Sequence, residues 1–299
     1  MSNNQIKLIA TDLDGTLLYP KKYLSLIDRD NVKFLSDFAR NGGKVVCITG
    51  RNPKLKHKIE KKIKSKIGYI GCNGGFTVDE NDQIYDLNPL NNDIIMEIFN
   101  KYQDYEGIKC WLLFDLANGM LVYSKMNVAL DLIVKAVGAL RFSYRESLIF
   151  NKNKFINKIK TEKIYKLVIN FGLGKTNFDD AYKFSKLLKQ NYRDKVNVVD
   201  SDSSIEITSV TATKALALQR YIEKQGIDKN EVYVVGDSGN DICLFKEFPH
   251  SFCMNHSHPR VKHHALHWVN KVSELSDYIY DDFINEEDLV RFNFKKKIL

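Results

Sequence analysis

Asp12 and Asp14 stand two residues apart, after the apolar run Ile6-Lys7-Leu8-Ile9-Ala10 and just before Gly15-Thr16-Leu17-Leu18. In an extended chain, residues two apart share a face. Both carboxylates therefore point into one space, with Leu13 packed behind them. Like charges held together cost free energy, which a cation or a shared proton must offset. Polar groups follow short apolar runs at three further places: Thr49-Gly50-Arg51, Asn73-Gly74-Gly75 and Asp237-Ser238-Gly239-Asn240-Asp241. Lys214 opens a helical stretch. Three or four carboxylates at strand ends suit a hard divalent cation such as Mg²⁺, which takes oxygen ligands and keeps some of its waters. A lysine, a hydroxyl and a glycine N–H beside them suit phosphoryl oxygens. Neither G-x-x-x-x-G-K-[ST] nor G-x-G-x-x-G occurs, so phosphate would fall to the metal, Lys214, Thr49 and turn amides. Singly, each group has an ordinary reading: Asp237 and Asp241 as acidic residues opening a helix, Lys214 as a surface lysine.

The elements that must place these groups read as alternating strands and helices. Ile6 to Ala10 forms a buried parallel strand. A helix is expected from Ser25 to Asn41, with Val32, Phe34, Leu35, Phe38 and Ala39 on its apolar side and Asn41-Gly42-Gly43 to stop it. Lys44 to Ile48 is a second strand, Pro53 to Lys66 a second helix and Tyr69 to Cys72 a third strand. This alternation within about 75 residues is the pattern of a doubly wound, Rossmann-like parallel sheet of the α/β class, which binds ligands outside the C-terminal ends of its strands. The texture changes near Asn81. Trp111 to Phe114 and Met120 to Tyr123 flank Asn118-Gly119, a hairpin signal. Helices are expected over Val128 to Leu140 and Phe178 to Gln190, with strands over Ile164 to Phe171, Val196 to Val199 and Ser204 to Thr208. Hairpins mixed with helices predict an α+β domain over residues 83–208, inserted into a core over 1–82 and 209–299. The parallel pattern returns with a helix from Thr213 to Gln225 stopped by Gly226, a strand from Glu231 to Val235, a helix opening at Ile242 to Phe245, a strand over Phe252 to Met254 and a helix over His258 to His267. The final nine residues, with Lys295-Lys296-Lys297, read as a frayed tail.

Composition narrows the class. The 299 residues are 44% hydrophobic and 27% charged, as in globular proteins of one large or two modest domains. No apolar run approaches the ~20 residues of a membrane span, and no secretory leader is expected before Ile6. Five scattered cysteines without C-x-x-C suit reduced thiols, so a cytoplasmic location is expected. The net charge is +8, with lysines clustered over residues 54–66, 152–166 and 295–297. In the first cluster Leu55, Ile59, Ile63 and Ile67 recur every four residues, an amphipathic helix whose lysines cover its wet face. No basic recognition motif accompanies them, so nucleic acid is not the expected partner, while a basic field favours a small anionic substrate. Six of the seven histidines fall within His250–His267 and are expected to be solvated. His263 and His267 could share a helix face, but no acidic or cysteine partner is spaced to complete a metal site with them. Trp111 and Phe114 are expected in the core of the insert.

Taken in order, D-L-D-G-T-L-L over 12–18, T-G-R over 49–51, N-G-G over 73–75, Lys214 and G-D-S-G-N-D over 236–241 resemble the four motifs of the haloacid dehalogenase superfamily. They are most similar to its Cof-type phosphatases, which carry a large α/β cap between the second and third motifs. The resemblance spans most of the chain and implies specific roles. Asp12 would be the nucleophile that forms an aspartyl-phosphate, and Asp14 would protonate the leaving oxygen and then activate water. Thr49, Gly50, Asn73, Lys214 and Asn240 would surround the phosphate. Mg²⁺ would be held by Asp12, the backbone carbonyl of Asp14 and Asp237, with Asp241 ligating or orienting a metal-bound water. Asn255 matches a family position near the phosphate. Two departures stand out: Lys214-Ala215 replaces Lys-Gly, where alanine favours the helix, and Met254-Asn255 lacks an intervening glycine. The implied activity is Mg²⁺-dependent hydrolysis of small phosphomonoesters, sugar phosphates foremost, with a small phosphorylated metabolite as partner and no membrane. A sugar-phosphate mutase of the same superfamily and a non-catalytic sugar-phosphate sensor are the alternatives. The intact Asp12/Asp14 pair counts against a sensor, because binding alone needs no general acid.

Overall fold

A computed structural model describes residues 6–19, 27–116, 120–125, 147–148, 151–172, 176–201 and 203–280. The chain divides into two compact units, residues 1–87 with 213–299 and residues 88–212.

The first unit begins with strand β1 (Leu8–Thr11), every residue of which is buried. Helix α1 (Arg29–Arg40) starts where the Asp28 side chain accepts from the Asp30 N–H. The part of its expected start at Ser25 and Leu26 lies outside the described residues. Strand β2 (Lys44–Ile48) follows, then helix α2 (Lys56–Ile63), which stops three residues before the expected Lys66 at a left-handed Lys64. There the Ser36 hydroxyl donates to the Ile63 carbonyl and ties the helix end to α1. Strand β3 (Gly68–Gly71) leads through a tight turn into β4 (Phe76–Val78) and β5 (Ile84–Tyr85), an antiparallel extension that carries the unit past residue 82, where the sequence reading put its boundary.

The second unit contains helix α3 (Asn92–Tyr102), strands β6 (Cys110–Phe114), β7 (Met120–Ser124) and β8 (Ser147–Leu148), helix α4 (Lys152–Thr161), strand β9 (Lys166–Asn170), helix α5 (Thr176–Asn191) and strands β10 (Asn197–Ser201) and β11 (Ser204–Thr208). Its sheet runs β10-β11-β9-β6-β7-β8, antiparallel except for β7 with β8. Trp111, Leu113, Leu167, Ile169, Ile205 and Ile207 form one apolar face, covered by Ile98 and Phe99 of α3, Phe155 of α4 and Phe184 of α5. Trp111 meets Phe99 edge-on at 5.2 Å. Phe114, expected in this core, lies on the other face, under the Lys166 ammonium at 4.4 Å from the ring centroid. The Asn118-Gly119 turn, the helix expected over Val128 to Leu140 and the C-terminal tail lie outside the described residues.

The chain returns to the first unit with helix α6 (Lys214–Gln225), closed by left-handed Gly226, then strand β12 (Val232–Gly236), helix α7 (Ile242–Glu247), strand β13 (His250–Met254), the single turn α8 (Pro259–Lys262), strand β14 (His267–Val269) and helix α9 (Ser276–Tyr280). The core sheet runs β14-β13-β12-β1-β2-β3-β4-β5, parallel from β14 to β3. β1 lies between β12 and β2, so the strand order reverses at β1, the switch point where open α/β sheets bind ligands. The helix expected over His258 to His267 is corrected: it ends at Lys262, because the Leu266 N–H turns back to the Ser251 carbonyl and residues 267–269 pair with the open edge of β13. His263 and His267 thus share no helix face. His250 is buried at 3% exposure against Tyr233, not solvated. No described helix is long and apolar enough to cross a membrane.

Candidate active site

The Asp12 N–H still donates to Val235 in the neighbouring strand, at 2.9 Å, so the backbone stays in the ladder while its side chain leaves the sheet end. A wide turn over Leu13–Leu17 follows, closed by the Leu18 N–H on the Leu13 carbonyl. Gly15 has φ +83°, and a Cβ there would lie 2.3 Å from Asp237 Oδ2. Only glycine lets the turn pass so close to the loop after β12. Thr16 seals that approach, its hydroxyl donating to Asp237 Oδ1 at 2.9 Å. Within the second loop, Asp241 Oδ2 accepts from the backbone N–H groups of Asp237 and Ser238, both at 3.0 Å. That is the helix-opening role considered for Asp241 alone, but its other oxygen faces inward.

Lys214 joins the two loops. Its helix opens with the Thr213 hydroxyl accepting from the Leu216 N–H. Its ammonium donates to Asp12 Oδ1 at 2.6 Å and to Asp241 Oδ1 at 2.7 Å. Lys214 is 1% exposed, Asp12 4% and Asp241 0%, which excludes the surface-lysine reading. Ala215 packs into the core beneath. Oxygens of Asp12, Asp237 and Asp241 lie within 4.8 Å of one another. Burial lifts the Asp12 carboxyl well above its ordinary range, against the pull of Lys214 and with the help of Asp241 and Asp237. Burial and then Asp241 push Asp237 up to about 6. Burial alone would lower the Lys214 ammonium, but Asp12 and Asp241 outweigh it and hold it above the ordinary lysine value. The lysine is therefore charged. With all three carboxyls ionised, one ammonium would leave two negative charges unmatched, and the raised values of Asp12 and Asp237 are the mark of that deficit. Hard oxygen donors with that deficit fit a divalent cation of the Mg²⁺ type.

The other sequence candidates lie on the loops that follow β1, β2, β3, β12 and β13. Thr49 is buried at the end of β2, its oxygen accepting from the Arg51 N–H at 3.2 Å, with Gly50 half-buried beside it. The Asn73 N–H donates to the Thr49 carbonyl at 2.9 Å, and Asn240 reaches the Asn73 side chain at 3.4 Å. Gly74, at φ +103°, lies where a Cβ would meet the Thr213 carbonyl at 2.5 Å, which fixes the Asn73 turn against the start of α6. Asp14 does not join the three clustered carboxylates. Both of its oxygens are taken by the Arg51 guanidinium, through Nε and a terminal nitrogen. Asn255 is exposed and bonded to Asn270 and Lys262. Arg51 and Thr16 were not assigned roles from the sequence. The T-G-R triplet contained the signal for Arg51, but its partner lies on another loop.

A second group of possible metal ligands, His57, Glu60 and Asp82, already holds cations. The Lys56 ammonium lies 2.8 Å from Glu60 and 2.6 Å from Asp82, and Lys66 is close to both. Lys56 is buried, so the expected wet lysine face excludes it.

The haloacid dehalogenase-like hydrolase family model matches residues 9–278. A Mycoplasma genitalium protein provisionally named a phosphatase is 28% identical over 94% of this chain and 99% of its own. The Bacillus subtilis 5-amino-6-(5-phospho-D-ribitylamino)uracil phosphatase YcsE is 26% identical over 94% of this chain and 92% of its own. Among solved structures, a haloacid dehalogenase-like hydrolase from B. subtilis superposes with a TM-score of 0.74 at 20% identity, covering 92% of this chain and 98% of that one, a likeness of fold.

Proposed function

We propose that this chain, which belongs to the haloacid dehalogenase-like hydrolase family and is a phosphatase, hydrolyses small sugar- or polyol-phosphate monoesters with Mg²⁺ through an aspartyl-phosphate on Asp12. The observation that carries this reading is the buried Lys214 bridge between Asp12 and Asp241, with Asp237 beside them. Lys214 holds Oδ1 of Asp12 and leaves the other oxygen as nucleophile. That oxygen attacks phosphorus, the bond to the leaving oxygen breaks, and Asp14 delivers the proton the leaving oxygen needs. Water then attacks the phosphorus of the acyl phosphate, Asp14 takes its proton, and the Asp12 carboxylate and inorganic phosphate are released. Thr49, Gly50, Asn73 and Asn240 bind the phosphoryl oxygens, and the Lys214 charge serves the same end. Asp12, Asp237, Asp241 and the Asp14 carbonyl would hold Mg²⁺, which supplies charge neutralisation at the phosphoryl group.

The unit over 88–212 is read as the cap that selects the leaving group. YcsE is named for a phosphoribityl substrate, which supports a phosphate ester on a polyhydroxylated chain. Five free cysteines support a cytoplasmic setting. The test is inorganic phosphate release from a panel of phosphorylated sugars and polyols, with Mg²⁺ and with EDTA. Mg²⁺-dependent release is expected. Isomerised product without phosphate release would make the protein a mutase, and binding without turnover a sensor.

A further inference from the structure

We infer that Arg51 is a positioning residue, whose guanidinium fork aims the Asp14 carboxylate at the leaving oxygen; this rests on the reading of Asp14 as proton donor. Asp14 is the least confined of the acidic groups, its side chain 44% exposed, whereas that of Arg51 is 16% exposed. Asp14 has ψ 117° and is followed by Gly15 at φ +83°, so the backbone alone leaves its direction to the side-chain torsions. Two residues from Asp12, it would bring a fourth carboxylate to a centre already short of two positive charges. Arg51 resolves both problems. Its Nε donates to Asp14 Oδ2 and its terminal nitrogen to Oδ1, and each oxygen keeps a second lone pair, which carries the proton handed to the leaving oxygen. A two-point fork fixes the carboxylate plane as well as its distance, which a lysine's point charge cannot do. The fork is itself anchored, because the Arg51 carbonyl accepts from the Cys72 N–H and the Arg51 N–H donates to Thr49, tying it to the strand ends that carry the phosphate groups. Proton delivery depends steeply on such placement, and an error of about 1 Å can cost ~100-fold in rate.

The test exploits leaving groups. Departure of an alkoxide requires a proton, whereas 2,4-dinitrophenolate leaves without one, and kcat/KM reports only steps up to the first irreversible one. We would measure kcat/KM with Mg²⁺ for glycerol 1-phosphate and for 2,4-dinitrophenyl phosphate in the parent, Arg51→Met, Arg51→Lys, Asp14→Asn and the Arg51→Met/Asp14→Asn double variant. Arg51→Met should lose about 100-fold on the alkyl ester and far less on the dinitrophenyl ester, whose turnover also certifies folding. Arg51→Lys should recover only part of the loss. Adding Arg51→Met to Asp14→Asn should cost little more, because the residue acts through Asp14. Equal losses on both esters would overturn the inference and make Arg51 a phosphoryl ligand, and an undiminished alkyl rate would overturn it as well. If Asp14→Asn itself loses equally on both esters, the proton-donor reading fails. If Asp14→Asn discriminates between them and Arg51→Met does not, only the role of Arg51 fails.

Discussion

Replacing Lys214 by Met keeps most of the side chain's apolar volume and removes its charge. Its two contacts, at 2.6 and 2.7 Å, correspond to about 6 kcal/mol each at an effective dielectric of ~20. Much of that is offset by the cost of burying the ions. What remains after truncation is a pair of buried carboxylates, Asp12 and Asp241, with Asp237 close by and no cation among them. Breaking a buried ion pair in this way costs about 3–5 kcal/mol. The penalty should depend on pH. Burial already holds Asp12 above its ordinary range, and losing Lys214 raises it further. A carboxyl whose folded pKa is raised contributes stability at low pH and loses it as pH rises through the folded value. The variant should therefore be weakest at pH 8 and recover toward pH 5. The assay is urea unfolding in EDTA at both pH values, in a Trp111→Phe background so that Trp268 reports the core unit. Lys214→Met, Asp12→Asn and the double variant complete a cycle, in which neutralising Asp12 should restore part of the stability lost with Lys214. A Lys214→Met penalty below about 1 kcal/mol at pH 8, or the same penalty at both pH values, would refute the charge accounting.

Asp12→Asn should abolish phosphate release while its unfolding transition in EDTA stays at or above that of the parent, as burial of one charge fewer requires. Activity and urea denaturation check this together. Gly15→Ala places a Cβ against Asp237 at a left-handed backbone position; it should cost about 1–3 kcal/mol and most of the activity. Lys56→Met takes the buried cation from Glu60, leaving it the more exposed Lys66 and His57, and should destabilise the core by about 2 kcal/mol at pH 7. For Glu60, Lys56 and its other partners outweigh burial and hold the carboxyl below its ordinary value; for Asp82, Lys56 comes first. Their stabilisation is present above the ordinary carboxylate range and lost as pH falls through the lowered values. Acid unfolding of Lys56→Met should accordingly show a flatter slope below about pH 4.

The core was legible because burial on both faces of a parallel strand leaves no alternation to misread. β1, β2 and β12 are continuous apolar runs, and each ends at groups of the candidate site. The clustering of Asp12, Lys214, Asp237 and Asp241 could be anticipated from motif order, but the charge deficit among them needed their distances. Asp14 could not be placed, because spacing put it in the Asp12 cluster whereas both of its oxygens pair with a guanidinium on another loop. The His258 to His267 segment has helical spacing at Val261 and Ala265, yet the unpaired edge of β13 outcompeted the helix. In the second unit, the lysines over residues 152–166 mask a helix in the sequence, although Phe155 and Ile159 supply the buried side of α4. α3 has a readable signal, an Asn91 cap followed by Ile95, Ile98, Phe99 and Tyr102.

The register of Leu8 with Val232 has a consequence for biosynthesis. One edge of the central strand finds its partner only after 224 more residues have been made, which at 5–20 residues per second takes roughly 10–45 s. Until then β1 presents open backbone groups on that side, the kind of edge that recruits foreign strands. The 88–212 unit closes its sheet within a continuous stretch of chain, so it can fold while the ribosome is still at work. The cluster proposed as the catalytic centre, built from residues 12, 214, 237 and 241, assembles last. Asp12 therefore acquires its buried surroundings only near the end of synthesis, and a chain that stalls beforehand carries Asp12 without its lysine.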